Sequence, residues 1–173
     1  MNHLEIRQET APDHAAVYQL VKDAFASAEH CDGNEQELVS ALRASSAFIP
    51  ELSLVAVADG NIIGHILFTK VSVGEHTALA LAPLSVHPAY QRQGVGLALM
   101  KTGHGIAQKL GYDYSIVLGS SSYYPKIGYV PASTYGILSP FDVPDENFMA
   151  LKLTAGAKAL NGTVKHDKAF GID

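Results

Sequence analysis

The period of the hydrophobic pattern changes along the first third of the chain. Residues 4–7 alternate between apolar and polar side chains, which predicts a first strand. Thr10-Ala11-Pro12-Asp13 then combines a cap, a proline and an acid, and Val17, Leu20 and Val21 follow at helical spacing. These features predict a helix with one apolar stripe that packs on a sheet.

A second helix is predicted to begin at Asn34 and to present Leu38 and Leu42. Residues 52–58 and 62–73 then resemble strands, and Asp59-Gly60 between them is typical of a two-residue hairpin.

Further along, residues 76–86 predict another strand and residues 94–110 a helix that ends at Gly111. Residues 114–118 are apolar on both faces, as in a strand inside a helix-covered sheet. The predicted order is strand, two helices, three antiparallel strands, helix, strand, short helix and strand. This order predicts an α/β (α+β) fold with a mixed sheet.

Composition limits the possible classes of protein. A chain of 173 residues with 47% hydrophobic and 17% charged residues suits one domain over residues 1–173. The net charge of −5, without a basic run, argues against direct binding of nucleic acid. Cys31 is the single cysteine, and the N-terminus lacks the pattern of a signal peptide, so we expect a cytoplasmic protein.

Neither a membrane nor a metal is expected. No apolar run approaches the roughly 18 residues of a membrane helix. The eight histidines are scattered without a zinc-ligand spacing.

The segment from Leu84 to Leu97 predicts a strand that enters a helix through a glycine-rich turn. Gly94 and Gly96 lack a Cβ atom, so a ligand can approach the backbone closely there. The amides of residues 93–97 begin the helix and have no intrahelical acceptor, and the helix dipole adds positive potential. The segment therefore predicts a site for a phosphate or pyrophosphate.

Two common phosphate motifs do not fit this segment. A mononucleotide P-loop needs Lys followed by Ser or Thr, whereas Leu97 and Ala98 follow Gly96. A dinucleotide fingerprint needs Gly or Ala where Leu99 stands. ATP, GTP and NAD are thus disfavoured, although a nucleotide-binding protein remains a weaker alternative.

The Gln91-x-x-Gly94-x-Gly96 pattern resembles the pyrophosphate loop of the GCN5-related N-acetyltransferase (GNAT) superfamily. Residues 123–129, Tyr-Tyr-Pro-Lys-Ile-Gly-Tyr, resemble the Tyr-x-Lys-x-Gly-Phe ending of that family. Residues 3–135 follow the pattern of its YhbS-like branch, and residues 136–173 would complete the fold or the acceptor side. The resemblance implies a three-layer α/β/α fold whose fourth and fifth strands splay apart.

The resemblance also implies acetyl-CoA (CoA) as the acyl-donor cosubstrate, without a metal. Its pyrophosphate would lie on the helix amides and its pantetheine arm along the fourth strand. The implied binding residues are Leu84, Ser85, Val86, Gln91, Arg92, Gln93, Gly94, Val95, Gly96 and Leu97.

The implied catalytic residue is Tyr124, which would donate a proton to the leaving thiolate. Tyr123 is interpreted as a packing residue. Many relatives carry an asparagine after the fifth strand that holds pantetheine. Residues 120–122, three serines, stand there in this chain and would have to replace that contact.

The general base is not assigned by the sequence, because no acidic residue interrupts residues 77–86. The candidates are His65, Glu29, His30, Asp32 and Glu35. The acceptor would be an amine-bearing small molecule or a protein amine, and the chain a monomer or homodimer. An acyl-CoA-binding regulatory or sensor module without turnover is the alternative function.

Overall fold

The computed structural model describes residues 3–26 and 33–171. Its helices are α1 (His14–Phe25), α2 (Glu35–Arg43) and α3 (Val95–Lys109). Its strands are β1 (Leu4–Gln8), β2 (Phe48–Ala58), β3 (Asn61–Val73), β4 (His76–Val86), β5 (Tyr114–Leu118), β6 (Val130–Pro131), β7 (Ile137–Leu138), β8 (Phe148–Lys152) and β9 (Gly162–Lys165). The main sheet has the order β1-β2-β3-β4-β5-β8-β6, in which only the β4/β5 pair is parallel. The predicted mixed sheet is confirmed.

Helices cover both faces of this sheet. Successive strand residues point to opposite faces, so Leu54 and Ile66 pack in the cluster that contains Leu99 of α3. Val55 and Leu67 pack instead with the apolar stripes of α1 and α2. This division of each strand between two cores produces the three-layer arrangement that the resemblance implied.

The β2/β3 hairpin closes at Asp59-Gly60, where both residues have positive φ (51° and 79°), as a two-residue hairpin turn requires. The prediction is therefore confirmed. However, β2 begins at Phe48, four residues before the predicted start. A register irregularity between Phe48 and Ser53, together with Pro50, hides this part of the strand from a period-2 pattern.

The parallel β4/β5 pair is short. Its register pairs are Leu79 with Ser115 and Ala80 with Ile116 only. The β3/β4 register shifts between the Ile66/Leu84 and Phe68/Leu81 pairs, which places a bulge at residues 82–83 of β4, just beyond this point. Such a bulge bends the strand that carries it. The two strands therefore separate, as the resemblance implied, and residues 81–86 of β4 have no strand partner on the β5 side among the described residues.

The C-terminal segment completes the sheet. β8 pairs with β5 along its whole length, from Tyr114/Lys152 to Leu118/Phe148. The predicted last strand near residue 130 is only the two-residue β6, which pairs with β8 rather than with β5. Residues 136–173 thus contribute β8 to the main sheet and place β9 beside β3.

A buried ionic network fixes α2 against the sheet. The Glu9 carboxylate, at the end of β1, accepts two hydrogen bonds from Arg43 of α2 at 3.1 and 2.8 Å. Ser53 Oγ donates a further hydrogen bond to Glu9 at 2.9 Å. The Glu9 side chain is only 2% exposed, so its carboxylate has lost most of its hydration. The positive charge of Arg43 compensates for this desolvation cost.

Arg43→Met is expected to lower the free energy of unfolding by about 3–5 kcal/mol, because it leaves the Glu9 carboxylate buried without its cation. The melting temperature should fall by about 6–20 °C in a calorimetric scan. The double variant with Glu9→Gln removes both charges and should recover much of the loss. Equal instability of the single and double variants would contradict this explanation.

Candidate active site

A cavity of about 660 Å³ lies where β4 and β5 have separated. Its walls come from the end of β4, the loop before α3, the first turn of α3 and the segment after β5. Its lining residues are Leu84, Val86, Tyr90, Gln91, Arg92, Gly94, Val95, Gly96, Leu97, Gly119, Ser120, Tyr123 and Tyr124.

The loop that enters α3 has an unusual backbone. Arg92 has a positive φ of 62° and Gly94 one of 86°. Left-handed residues within such a turn aim backbone N–H groups into a concavity that suits an anion. A left-handed arginine is strained, so its presence beside a cavity favours a functional explanation of the loop.

Two glutamine side chains brace this loop. Gln91 Nε2 donates to the carbonyl of Val86 at 3.1 Å, and Gln93 Nε2 donates to the carbonyl of Ala89 at 3.2 Å. Gln91 therefore ties the loop to the end of β4. The guanidinium of Arg92 adds a positive charge to the cavity wall.

The first turn of α3 presents free donors to the cavity. Ala98 N–H donates to the carbonyl of Gly94 at 3.0 Å, which leaves the amides of Val95, Gly96 and Leu97 without an intrahelical acceptor. The helix continues for 15 residues, so its dipole adds positive potential at this end. Donors, dipole and loop concavity together form a cradle for a phosphate group.

Tyr123 has a different position from the one expected. A Cβ atom built on Gly96 would lie 2.8 Å from Tyr123 Oη, so the phenol oxygen is directly above the first turn of α3. The ring also packs edge-on against Tyr124, with centroids 5.1 Å apart. The interpretation of Tyr123 as a packing residue alone is therefore corrected, because its hydroxyl reaches the cradle.

Tyr124 is held by close packing on several sides. A Cβ atom on Gly119 would lie 2.5 Å from the Tyr124 ring, so this ring requires glycine beside it. The ring also packs in an edge-to-face arrangement with Tyr129, with centroids 5.6 Å apart. Its hydroxyl makes no hydrogen bond with any described residue. Burial, with a smaller effect from Tyr123, raises the pKa of Tyr124 well above its usual value, so the hydroxyl keeps its proton at neutral pH.

The segment after β5 is fixed by an asparagine that sequence reasoning missed. Asn147 Nδ2 donates to the carbonyl of Gly119 at 3.1 Å, and Gly119 N–H donates to the carbonyl of Asn147 at 2.9 Å. Ser120 Oγ is hydrogen-bonded to Ser122 Oγ at 2.8 Å. Ser120 lines the cavity, whereas Asn147 comes from the turn before β8, 28 positions along the chain.

The predicted cosubstrate residues fall into two groups. Eight of the ten line the cavity, and only Ser85 and Gln93 do not. Ser85 is 1% exposed and lies opposite His65 in the β3/β4 pairing, so its side chain points away from the cavity. The Ser85 side chain is therefore not part of the cavity wall.

His65, a candidate base, lies in the core. Its ring is fully buried, with Nε2 3.1 Å from Ser53 Oγ and 3.7 Å from Glu9 Oε2. Burial lowers its pKa to about 4, against a smaller opposing effect of Glu9. The candidacy of His65 is therefore corrected, because this ring lines neither the cavity nor its entrance.

Of the remaining candidate bases, Glu29, His30 and Asp32 lie outside the described residues. Glu35 begins α2, and both of its carboxylate oxygens are buried without a hydrogen-bond partner within residues 3–26 and 33–171. Across those same ranges, no group of three His, Cys, Asp or Glu side chains could hold a metal ion. No helix in the described part of the chain is long and apolar enough to span a bilayer.

Several known proteins are similar to this chain in sequence and in fold. Residues 14–129 match the Acetyltransferase (GNAT) family. The uncharacterized N-acetyltransferase YjhQ of Escherichia coli K12 is 37% identical over 139 residues, which cover 76% of this chain and 77% of YjhQ. A GNAT acetyltransferase from Brucella melitensis, crystallised with acetyl-CoA, superposes with a TM-score of 0.82 at 31% identity, over 98% of this chain and 99% of its own. YhbS from Escherichia coli, crystallised with CoA, gives a TM-score of 0.86 at 26% identity, over 98% and 92%.

A splayed mixed sheet with a phosphate cradle at the start of α3 defines an acyltransferase fold, and the chain belongs to the GNAT family of acetyltransferases. Within that family it falls in the YhbS-like branch, and it is an acetyl-CoA-dependent N-acetyltransferase.

Proposed function

We propose that the enzyme transfers the acetyl group of acetyl-CoA to a primary amine by direct attack, with both substrates bound together in the split between β4 and β5. The observation that carries this proposal is the single cavity that joins the cradle of α3, the unpaired edge of β4 and Tyr124. Bound acetyl-CoA supplies an activated acetyl group and a thiol that leaves.

The cradle would bind the pyrophosphate. The amides of Val95, Gly96 and Leu97 donate hydrogen bonds to its oxygens, and Arg92 adds charge. The edge of β4 between Leu84 and Val86 would pair with the amide-rich pantetheine arm as an added strand. The brace from Gln91 to the Val86 carbonyl occupies one acceptor of that edge, so the arm is expected to use the remaining backbone groups.

Tyr124 would assist departure of the thiol. A thiol of pKa near 8.5 leaves more readily as an anion when a donor lies beside its sulfur. The Tyr124 hydroxyl is protonated, faces the cavity and has no partner among the described residues, so it is available for that hydrogen bond.

Acetyl-CoA and CoA are expected to raise the melting temperature, because a ligand that binds only the folded protein stabilises it by mass action. At 100 times Kd the gain is about 2.7 kcal/mol, which corresponds to about 5–10 °C for a chain of this length. A thermal-shift series with acetyl-CoA, CoA, ATP and NAD checks this expectation.

ATP and NAD serve as the controls, and neither should shift the transition comparably. Equal or tighter binding of ATP in calorimetry would contradict the proposed cosubstrate. Thiol release measured with a panel of amines then tests turnover, since acetyl-CoA binding without release for any amine would favour the sensor function instead.

A further inference from the structure

A second, smaller cavity of about 210 Å³ lies on the other side of the split. It is bordered by Ala80 and Ala82 of β4 and by Ile116 and Leu118 of β5. Ala80 and Ile116 belong to the core cluster that contains Phe148 rather than to the cluster of α3. The smaller cavity therefore lies on the sheet face opposite α3.

Both cavities border the gap between β4 and β5. Along β4, Ala82 of the smaller cavity lies two positions before Leu84 of the larger one. Along β5, Leu118 is followed by Gly119 in the same way. An acetyl group held beside the β4 edge is thus approachable from the smaller cavity.

The wall of the smaller cavity is aromatic. Phe141, Phe148 and Phe170 line it together with His166, whose ring lies 4.9 Å from Phe170 and 5.5 Å from Phe141. Rings at these distances offer edges and faces to a further aromatic ring. Leu118 remains 48% exposed, so an apolar ligand would remove additional apolar surface from water.

The same wall provides no partner for a charge. None of its described lining residues is Lys, Arg, Asp or Glu. Burial lowers the pKa of His166, so its imidazole is neutral at neutral pH. A second ammonium group or a carboxylate on the acceptor would therefore lose water without compensation.

The volume restricts the size of the apolar group. An engineered cavity of about 150 Å³ lined by aliphatic and aromatic side chains accommodates one benzene molecule. A cavity of about 210 Å³ has room for one such ring and a short chain.

We infer that the acceptor is a small primary amine with a single aromatic ring on a short uncharged chain, whose ring enters the Phe141/Phe148/Phe170 cavity while its amine faces the β4/β5 split. This inference rests on the proposed function, to which it adds a substrate class. The neutral wall favours the deprotonated amine, which is the form that attacks a thioester.

Three primary alkylamines with different groups at the far end of a short chain test the inference: phenethylamine with a phenyl ring, 1,4-diaminobutane with an ammonium group and 4-aminobutanoate with a carboxylate. We expect kcat/KM for phenethylamine, measured by thiol release, to be at least tenfold higher than that of either amine with a second charged group. Calorimetry with the CoA-saturated protein provides a readout without turnover, in which phenethylamine should bind and the other two should not.

Phe141→Ala should raise KM and Kd for phenethylamine about tenfold, since it removes one aromatic contact and part of the apolar wall. Acetyl-CoA affinity should not change. Phe48→Ala is the matched control, because Phe48 is a half-buried phenylalanine outside this cavity and should leave both ligands unaffected.

The outcomes separate the two proposals. Thiol release with 1,4-diaminobutane or 4-aminobutanoate at least as fast as with phenethylamine overturns the substrate class and leaves the proposed function intact. Failure of acetyl-CoA to bind overturns the proposed function. Absence of calorimetric phenethylamine binding, or binding that Phe141→Ala does not weaken, overturns the inference whatever the result with acetyl-CoA.

Discussion

Gly96→Val is expected to weaken acetyl-CoA binding by at least about 100-fold, as measured by calorimetry. The new side chain would cover the amides at the start of α3, where the pyrophosphate is proposed to bind. Loss of two hydrogen bonds to a charged group, at about 1.5–3 kcal/mol each, is sufficient for that change. Among the described residues, the new Cβ atom would lie 2.8 Å from Tyr123 Oη, the far end of a side chain that can turn away, and at ordinary contact distances of 3.6 and 3.9 Å from Leu84 and Val86. The fold should therefore survive.

Gly105→Val is the matched control, because Gly105 lies in the same helix and a Cβ atom there meets nothing within 4 Å. It should bind acetyl-CoA normally. Gly94→Val should also abolish binding but with a loss of stability, because its φ of +86° strains any residue with a side chain. Circular dichroism run alongside separates the two causes. An intact Gly96→Val protein with unchanged affinity would remove the cradle from the proposed site.

Tyr124→Phe is expected to lower kcat by about 100-fold with little change in acetyl-CoA affinity, since it deletes one hydroxyl and keeps the packed ring. A loss of this size is at the lower end of the range for removal of a general acid, because a thiolate is already a moderately good leaving group. The loss should shrink with an acyl thioester whose thiol is more acidic, as that anion needs less help. Steady-state kinetics with two such thioesters, on an amine shown to be a substrate, measure both effects.

Two other tyrosines provide the comparison for Tyr124→Phe. Tyr112 is outside the cavity, and Tyr112→Phe should leave turnover unchanged. Tyr123→Phe removes the hydroxyl above Gly96, so any effect should fall on acetyl-CoA affinity and not on the leaving-group dependence. Full turnover by Tyr124→Phe, or a loss confined to acetyl-CoA binding, would show that Tyr124 is not the proton donor.

The predicted elements succeed where the information is local. The Asp59-Gly60 turn, the apolar stripe of α1 and the glycine-rich entry to α3 each depend on residues within a few positions of one another. The positive φ of Gly94 is also a local property, because glycine adopts this backbone conformation more readily than residues with a side chain. The motif at residues 91–96 therefore pointed to the family and its fold without coordinates.

The predictions fail where distant segments decide the outcome. A period-2 pattern cannot show that β8, about thirty positions beyond β5, pairs with it, since strand partners are chosen by long-range packing. His65 is polar in sequence, yet the network with Glu9 and Ser53 stabilises it in the core. Asn147 reaches Gly119 only because β8 brings the preceding turn beside the end of β5.

The sequence alone thus determined the order of the early elements, the cradle of α3 and the likeness to an acetyltransferase, because glycine positions and hydrophobic periods are properties of short segments. The tertiary structure decided the extent of the β4/β5 split, the position of the Tyr123 hydroxyl and the aromatic cavity on the far face of the sheet. That cavity joins side chains from β4, β5, β8 and the C-terminal segment, which only the folded sheet brings together. The proposed acceptor site therefore depends on packing between distant segments, whereas the proposed site for the acyl donor depends largely on one motif.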